Sequence, residues 1–276
     1  MPELPEVETM VRGLQPLRNL TIESLGRYRC SRKPISIRPT VTTIRRRLVG
    51  RQLLSISRLA KRVVLEFSSG DRLVFEPRMT GLLLSSDPPT TAHLRFFITF
   101  LGAPHQFWFW DRRGLGTITA FSNSQWQLFM TSKKLGPDAL AITADSLQAR
   151  LQPSRRPIKV VLMDQQYIAG IGNLYASEIL FRANIDPRRR CESLGNEEWQ
   201  TVSNAIIEVL QDAIAHEGST LSDGTYRNAL NQNGSYQNQH CVYARSNKRC
   251  RECQQTDIVR IVQNQRATFY CPVCQV

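Results

Sequence analysis

The sequence lacks any apolar run long enough to cross a membrane. A spanning helix needs about 18 or more consecutive apolar residues, and no run of that length occurs. The N-terminus carries glutamates where a secretory signal has a basic and then an apolar stretch, so no signal peptide is predicted. Internal repeats and long low-complexity segments are absent as well. We therefore expect a cytoplasmic protein of the bacterial intracellular type.

Acidic residues are scarce relative to basic ones. The chain of 276 residues has 23 acidic and 36 basic side chains, a net charge of +13 and a pI near 9.9. This excess is typical of a protein that binds a polyanion; nucleic acid is the first candidate and an anionic membrane surface the second. The seven cysteines are not expected to form disulfides in a reducing compartment. The length is sufficient for two domains with separate cores.

The residue after the initiator methionine is a proline, Pro2. Methionine is normally removed before so small a residue, which would leave a secondary amine. An α-amino group has a pKa of about 7.7–8.0, so a fraction is an uncharged nucleophile at neutral pH and can form a Schiff base with a carbonyl. Glu3 follows directly and is a candidate general acid. The alternative is a proline without a catalytic role, since proline is common at this position.

Apolar patterns divide the chain into a strand-rich part and a helical part. An apolar stripe, an early proline and several glutamates predict a helix over residues 4–14. Short runs beyond it predict a β-sandwich or barrel. The predicted strands are 63–67, 72–75, 82–84, 94–100, 107–110 and 117–121. The predicted helices are 157–165, 173–182 and 196–216, and the polar segment 218–239 is predicted to be a mobile loop.

Four cysteines near the C-terminus have the spacing of a zinc site. They are Cys250, Cys253, Cys271 and Cys274, in two Cys-x-x-Cys pairs. Alternating residues between the pairs predict a β-hairpin. Because the chain supplies all four ligands, we expect one structural Zn²⁺ per chain. Arg266, near the tip of the hairpin, would either reach phosphate or remain a solvated arginine.

A glycine-containing turn, 170–172, lies between two of the predicted helices. The glycines permit a tight turn and close approach of a ligand. Asn173 is predicted at the N-cap of the following helix, where free backbone N–H groups favour an anion. Together with a basic flank, Arg182 and the arginines at 188–190, the turn is typical of a helical element that contacts the DNA backbone, and a plain helical hairpin is the alternative.

Together these features resemble the formamidopyrimidine-DNA glycosylase family over nearly the whole chain. The matching motifs are 1–9 (MPELPEVET), 59–61, 79–81, 111–113 with Gly116, 135–137, 162–164, 170–178 and 265–271. The resemblance implies an α+β, multidomain fold. The implied parts are a β-sandwich domain with an N-terminal helix (1–135), a hinge (136–156), a helix-two-turn-helix domain (157–239) and a four-cysteine zinc β-hairpin (240–276).

The resemblance also implies the roles of individual residues. Pro2 would be the Schiff-base nucleophile, and Glu3 the proton donor during base removal. Lys61 would serve β-elimination or bind the nearby phosphate, and Arg266 would serve δ-elimination and grip phosphate. The implied DNA-binding residues are Met79, Arg113, Leu115, Lys159 and Asn173. The first three of these would fill the gap left by the extruded nucleotide.

The chain departs from the family pattern at several positions. Leu115 replaces the usual phenylalanine, Glu76-Pro77-Arg78 lacks the usual histidine before Met79, and Thr91 occupies the place of a DNA-contacting histidine. The loop 218–239 also differs from the pattern expected for a lesion-capping loop. These changes leave the implied chemistry intact, and they bear on lesion preference and on the choice of the opposite base.

The implied activity is that of a bifunctional DNA glycosylase and AP lyase. It would remove 8-oxoguanine and formamidopyrimidines and cleave the strand by β,δ-elimination. The expected partner is double-stranded DNA containing oxidised bases or abasic sites, bound by a monomer without any membrane partner. Two alternatives remain: an endonuclease VIII-like glycosylase for oxidised pyrimidines, and a non-catalytic binder of damaged nucleic acid.

Overall fold

The computed structural model describes residues 2–104, 106–132, 135–221 and 224–276. The chain divides into two compact units. The first unit comprises Met1–Ser132 and His216–Ser235, and the second comprises Lys133–Ala215 and Tyr236–Val276. The segment 136–156, predicted as a hinge, thus belongs to the second unit.

The first unit is built on two β-sheets, in agreement with the strand-rich pattern of this region. Its strands are β1 (Ile22–Arg27), β2 (Ser36–Arg38), β3 (Leu53–Leu59), β4 (Arg62–Phe67), β5 (Arg72–Glu76), β6 (Gly81–Leu84), β7 (Leu94–Phe100), β8 (Gln106–Asp111) and β9 (Thr117–Phe121). One sheet has the order β1-β7-β8-β6 and the other β2-β9-β5-β4-β3. Neighbouring strands are antiparallel, except that β2 and β9 are parallel.

Helix α1 (Leu4–Leu14) has the predicted bounds and contributes to the core of this unit. Pro5 lies in its first turn, where a backbone N–H would have no acceptor within the helix, so the N–H that proline lacks is not needed. Four residues of the apolar stripe, Val7, Met10, Val11 and Leu14, are buried. The core also contains a cluster of aromatic rings, in which Phe75 lies 4.9 to 6.1 Å from the rings of Phe96, Phe107 and Phe109.

Two helices of the first unit were not predicted from the sequence. In α2 (Val41–Leu48) only Ile44 and Leu48 are buried, so its apolar stripe is too short to recognise beside three arginines. In α3 (Asn123–Thr131) no residue is buried. Ser122 nevertheless marks its start, because the Ser122 hydroxyl accepts a hydrogen bond from the Gln125 N–H at 3.3 Å.

The second unit is helical and carries the predicted hairpin. Its helices are α4 (Ala144–Leu151), α5 (Ile158–Leu162), α6 (Asn173–Arg182) and α7 (Asn196–Ala215), and its strands are β10 (Val259–Gln263) and β11 (Arg266–Tyr270). Trp199 of α7 is fully buried, and so are Leu147 and Leu151 of α4. No helix among the described residues is both long and apolar enough to span a membrane.

The segment 216–235 packs with the first unit, whereas the resemblance placed it in the helical domain, 157–239. From Gly218 to Ser235 the described residues form no helix or strand. Tyr226, Asn228 and Ala229 are nevertheless buried. The Asn228 side chain accepts hydrogen bonds from two backbone N–H groups of its own turn, at 3.0 and 2.9 Å. Such side-chain bonds order a polar segment in a way that hydrophobic periodicity does not reveal.

Candidate nucleic-acid interface and metal site

Pro2 and Glu3 immediately precede helix α1, and both are buried. Glu3 is the N-cap residue, and its backbone N–H donates a hydrogen bond to Glu6 Oε2 at 2.8 Å. This reciprocal capping arrangement fixes the direction in which the chain enters the helix. It therefore holds the Glu3 side chain in a defined position at the start of α1, one residue after Pro2.

Glu6 is a site residue whose role the sequence did not reveal beyond its favourable place near the helix dipole. Its other carboxylate oxygen, Oε1, accepts a hydrogen bond from the Ser219 N–H at 2.9 Å. Tyr226 closes the same region, because its hydroxyl donates to the Glu217 carbonyl at 3.0 Å. Burial and the nearby Glu6 raise the pKa of Tyr226, so the phenol stays protonated. The start of α1 is thus tied to the segment 216–235.

A small pocket opens beside Pro2. Its lining residues are Pro2, Met79, Thr80, Leu82, Ser219, Leu221, Thr225 and Tyr226. We call Met79, Arg113 and Leu115, which are expected to fill the gap left by an extruded nucleotide, the candidate wedge residues. The pocket brings together Pro2, Met79 and the segment 216–235 within the first unit. Once the initiator methionine is removed, the Pro2 amine would lie at this pocket, whose volume of about 10 Å³ is that of a single water molecule.

The other predicted residues of the first unit lie in turns. Lys61 is half-buried in the two-residue connection between β3 and β4, where Ala60 has a φ of +56°. Met79 is 37% exposed in the connection between β5 and β6. Arg113 and Leu115 are exposed in the connection between β8 and β9. Turn positions leave these side chains accessible to a large ligand.

Lys159 and Asn173, predicted to line a DNA-binding surface, are used inside the second unit. Lys159 is only 1% exposed. Its ammonium group donates to Asn173 Oδ1 at 2.7 Å, to Thr268 Oγ1 at 2.8 Å and to the Ala267 carbonyl at 3.3 Å. Asn173 is the first residue of α6, whereas its predicted N-cap position is occupied by Gly172. The Asn173 side chain also donates to the Ala267 carbonyl at 3.0 Å.

Arg266 is exposed at the beginning of β11, next to these buried contacts. The turn before it consists of Asn264 and Gln265, whose φ angles are +46° and +60°. Positive φ at both central residues matches the twist of a tight two-residue hairpin. Lys159 bonds to Ala267 and Thr268, the two residues that follow Arg266, so the chain is fixed beside this exposed arginine.

The four predicted cysteines form a metal-binding cluster. Their sulfur atoms all lie within 4.8 Å of one another. The Sγ atoms of Cys250 and Cys274 are 3.8 Å apart, and those of Cys253 and Cys271 are 3.7 Å apart. A backbone N–H from Gln255 lowers the pKa of Cys253 to about 7, whereas burial raises the pKa values of Cys271 and Cys274. The cysteines are thus placed to hold one ion.

Glu178 anchors the segment that leads to the hairpin, a role the sequence did not reveal. Its carboxylate accepts backbone hydrogen bonds from Cys241 at 2.8 Å, Val242 at 3.0 Å and Tyr243 at 2.7 Å. Burial raises the pKa of Glu178, and the three N–H donors oppose that shift by stabilising the charged form. A charged residue in the middle of an apolar helix was the only available signal.

Comparisons with known proteins agree with this arrangement. The model of the formamidopyrimidine-DNA glycosylase N-terminal domain matches residues 1–118, and that of the formamidopyrimidine-DNA glycosylase H2TH domain matches residues 135–225. The formamidopyrimidine-DNA glycosylase of Chloroflexus aurantiacus is 37% identical over 100% of this chain and 98% of its own length.

Solved structures show the same fold. The crystal structure of MutM (Fpg) from Thermus thermophilus superposes with a TM-score of 0.86 at 33% identity, covering 99% of this chain and 98% of that one. The Lactococcus lactis Fpg in complex with DNA containing an abasic site superposes with a TM-score of 0.87 at 30% identity, covering 99% of both chains.

These matches define the class of the protein as a DNA glycosylase. The chain belongs to the formamidopyrimidine-DNA glycosylase family, whose members are DNA repair enzymes. The resemblance inferred from the sequence motifs is thereby confirmed, as is the α+β class with a sheet domain, a helical domain and a cysteine-bearing hairpin.

Proposed function

We propose that this enzyme removes oxidised purines, 8-oxoguanine and formamidopyrimidines, from double-stranded DNA and then cleaves the strand at the abasic site. The observation that carries the proposal is the placement of Pro2 beside a pocket, with Glu3 held at the start of α1. Relatives support the substrate class, since an Fpg of Lactococcus lactis is solved with DNA containing Fapy-dG, and a MutM with DNA containing carbocyclic 8-oxo-G.

The proposed chemistry begins with the secondary amine. The Pro2 nitrogen attacks C1′ of the extruded nucleotide, the C1′–base bond breaks, and Glu3 supplies a proton during base removal. Opening of the sugar ring gives an iminium, which acidifies the adjacent carbon–hydrogen bond. Two eliminations then break the bonds to the phosphates on either side of the sugar. Lys61 serves the first elimination and Arg266 the second.

Access to the base depends on extrusion from the duplex, which costs a few kcal/mol. Phosphate contacts from a chain of net charge +13 offset that cost. Met79, Arg113 and Leu115 are proposed to occupy the vacated space, and their exposure in turns is compatible with that role. Lys159 and Asn173 are proposed to support DNA binding through the hairpin residues that they contact.

The ion held by the four cysteines is proposed to be zinc. A tetrahedral Zn²⁺ with bonds of about 2.3 Å separates its sulfur ligands by about 3.8 Å. The two measured separations, 3.8 and 3.7 Å, agree with that geometry. With four protein ligands the ion would be structural, so no catalytic step passes through it.

The proposal is tested by borohydride trapping on a duplex with 8-oxoguanine. Reduction of the Schiff base should yield a covalent protein–DNA adduct, which peptide mapping should assign to Pro2. A variant that retains an N-terminal extension should give no adduct, because the Pro2 nitrogen is then an amide. An adduct on Lys61 with a free Pro2 would refute the assignment of the nucleophile.

The same experiment separates the competing functions. An endonuclease VIII-like enzyme would be trapped more efficiently on an oxidised pyrimidine than on 8-oxoguanine. A non-catalytic binder would retain the duplex without any adduct or strand cleavage. Either result would contradict the proposed substrate class or activity.

A further inference from the structure

The two turns that carry the candidate wedge residues arise from neighbouring strands. Met79 lies just before β6, and Arg113 and Leu115 lie just after β8. Gly81, the first residue of β6, faces Asp111, the last residue of β8. We name the segments Pro77–Gly81 and Asp111–Gly116 the wedge turns. Sheet pairing brings the wedge turns close together, but it does not determine the conformation beyond the last pair.

A buried hydrogen-bond network links the wedge turns. Thr80 is 3% exposed and Asp111 is fully buried. The Thr80 hydroxyl donates to Asp111 Oδ1 at 2.5 Å and accepts from the Arg113 N–H at 2.9 Å. The other carboxylate oxygen of Asp111 accepts from the Gly116 N–H at 2.8 Å. Each bond joins a residue adjacent to, or identical with, a candidate wedge residue.

The donor and the acceptor in each hydrogen bond of the Thr80 hydroxyl follow from the groups that it contacts. The Arg113 N–H can only donate, so it uses a lone pair of the Thr80 oxygen. The hydroxyl hydrogen of Thr80 is then free to point at the Asp111 carboxylate, which only accepts. Loss of the hydroxyl would remove the partner of a partly buried N–H and of a buried carboxylate oxygen at the same time.

The network is also closely packed. A Cβ added at Gly116 would lie 2.5 Å from the Phe109 ring and 3.1 Å from Asp111 Oδ2. A Cβ at Gly81 would lie 2.5 Å from the Pro77 carbonyl oxygen. Arg95, which is buried, donates to the Asp111 carbonyl at 2.8 Å and holds the base of the second turn. Neither glycine has room for a side chain, so close packing restricts the backbone of both turns at these positions.

We propose that Thr80 and Asp111 are positioning residues that couple the two wedge turns, so that Met79, Arg113 and Leu115 enter the DNA as one rigid unit. This inference rests on the proposed function for its effect on DNA. The coupling itself is a property of the free protein and is testable without DNA.

The test compares Thr80→Val, which keeps the shape of the side chain without its hydroxyl, with Thr80→Ser, which keeps the hydroxyl. Amide hydrogen exchange of the free protein should accelerate in peptides covering 111–116 for Thr80→Val and remain at the parent rate for Thr80→Ser. The matched control is Thr99→Val, which removes a side-chain bond of 2.8 Å to Ser24 in the same unit. Unchanged exchange at 111–116 in Thr80→Val would overturn the coupling, whatever the activity.

The functional arm uses single-turnover excision of 8-oxoguanine placed opposite each of the four bases. Thr80→Val should excise about tenfold more slowly than the parent and discriminate less between opposite bases, whereas Thr80→Ser and Thr99→Val should not. Adduct formation at an abasic site in single-stranded DNA, where no base needs extrusion, should be unchanged in Thr80→Ser and Thr99→Val. In Thr80→Val it should slow less than excision does, because Thr80 also lines the pocket beside Pro2. Equal slowing on both substrates would overturn a role limited to the wedge.

Two controls keep the outcomes separable. If the parent protein itself fails to form an adduct, the proposed function fails, and the exchange measurement still decides the coupling. If Thr80→Val does not fold, Thr80→Ala removes the hydroxyl with less steric demand and receives the same measurements. Normal excision by a hydroxyl-free variant with accelerated exchange would show that the coupling does not serve the wedge.

Discussion

The wedge turns and the cysteine hairpin are both short segments that present candidate DNA-binding residues, yet they are held by different means. The wedge turns extend from two sheets with a large apolar core, and one buried carboxylate joins them. The hairpin has a small core, formed by Phe181, Val242, Cys250, Ile258, Phe269 and Cys271. Two of these six residues are members of the cysteine cluster.

The difference shows that the size of the apolar core decides which interactions are needed to fix a loop. A large core supplies rigid strand ends, so a few hydrogen bonds are sufficient to define a turn. A two-stranded hairpin buries too little apolar surface to be stable alone, and metal ligands supply what packing does not. The charged anchors Lys159 and Glu178 add fixed hydrogen bonds on the side that faces the helices.

Substitution of a cluster cysteine should have the largest effect, because it should unfold the hairpin and leave the wedge turns intact. We expect Cys271→Ser to lose the ion and DNA binding, while the first unit keeps its fold. The physical reason is that binding free energy of about 10–16 kcal/mol for a structural zinc acts as folding free energy of the hairpin. Metal analysis and hydrogen exchange would measure both effects. Cys30→Ser, outside the cluster, should retain one zinc, and a zinc-free parent that binds DNA would contradict the expectation.

A second prediction concerns the buried ammonium group of Lys159, which helps to hold the hairpin. Lys159→Met should destabilise the second unit by about 3 kcal/mol, because removal of one partner leaves several buried polar atoms unpaired. Urea unfolding followed by a probe in the second unit would measure this change. Lys248→Met removes the same charge from an exposed position and is the matched control. If the two variants lose equal stability, Lys159 is not an internal anchor.

The pH dependence of the second unit provides a third contrast. Burial, reinforced by Arg251, lowers the pKa of His240 from 6.5 to about 4. Between these values the unfolded chain binds a proton that the folded chain does not, so stability falls as pH drops from 6.5 to 4. The loss amounts to at most about 3 kcal/mol.

Unfolding of the parent and of His240→Gln across this range would measure the contribution, since both share the cysteines and any acid-induced loss of metal. The parent should lose more stability than the variant as the pH falls. Parallel curves would mean that His240 does not carry the effect.

The smallest expected effect lies in the wedge itself. Leu115→Phe should strengthen binding to a lesion duplex by about 1 kcal/mol or sharpen the opposite-base preference, because an aromatic ring stacks on a base and leucine does not. Pre-steady-state cleavage opposite each base would measure it. Leu101→Phe adds a ring to an exposed leucine in another turn and should be neutral. If Leu115→Phe and Leu115→Ala both match the parent, Leu115 is outside the wedge.

Regular elements were predictable where one periodicity dominates. Helix α1 and strands β7 and β9 have the predicted bounds, because their apolar residues recur at a single spacing. Helix α3 buries no residue and therefore leaves no stripe in the sequence. The segment 218–239 was predicted to be a mobile loop because it is polar, whereas polar groups in its described part bond to one another and to Glu6.

The candidate site residues also fall into those that the sequence predicts and those that it does not. The cysteine cluster follows from local spacing, and Pro2, Glu3, Arg113 and Arg266 are recognisable from motifs. The buried state of Lys159 depends on Asn173 and Thr268, which are distant in the chain. No pattern in the sequence pairs these residues, and a basic residue is ordinarily expected at the surface.

The sequence by itself determined the chemistry available to this protein: a proline directly after the initiator methionine, four thiols in two close pairs, and an excess of positive charge. These properties depend on residue identity and short spacing, which any conformation preserves. Only the tertiary structure decided which polar groups face solvent and which hold the fold. Thr80 meets Asp111, and Glu178 meets the backbone before the hairpin, because packing removes these groups from water and requires each to find a partner.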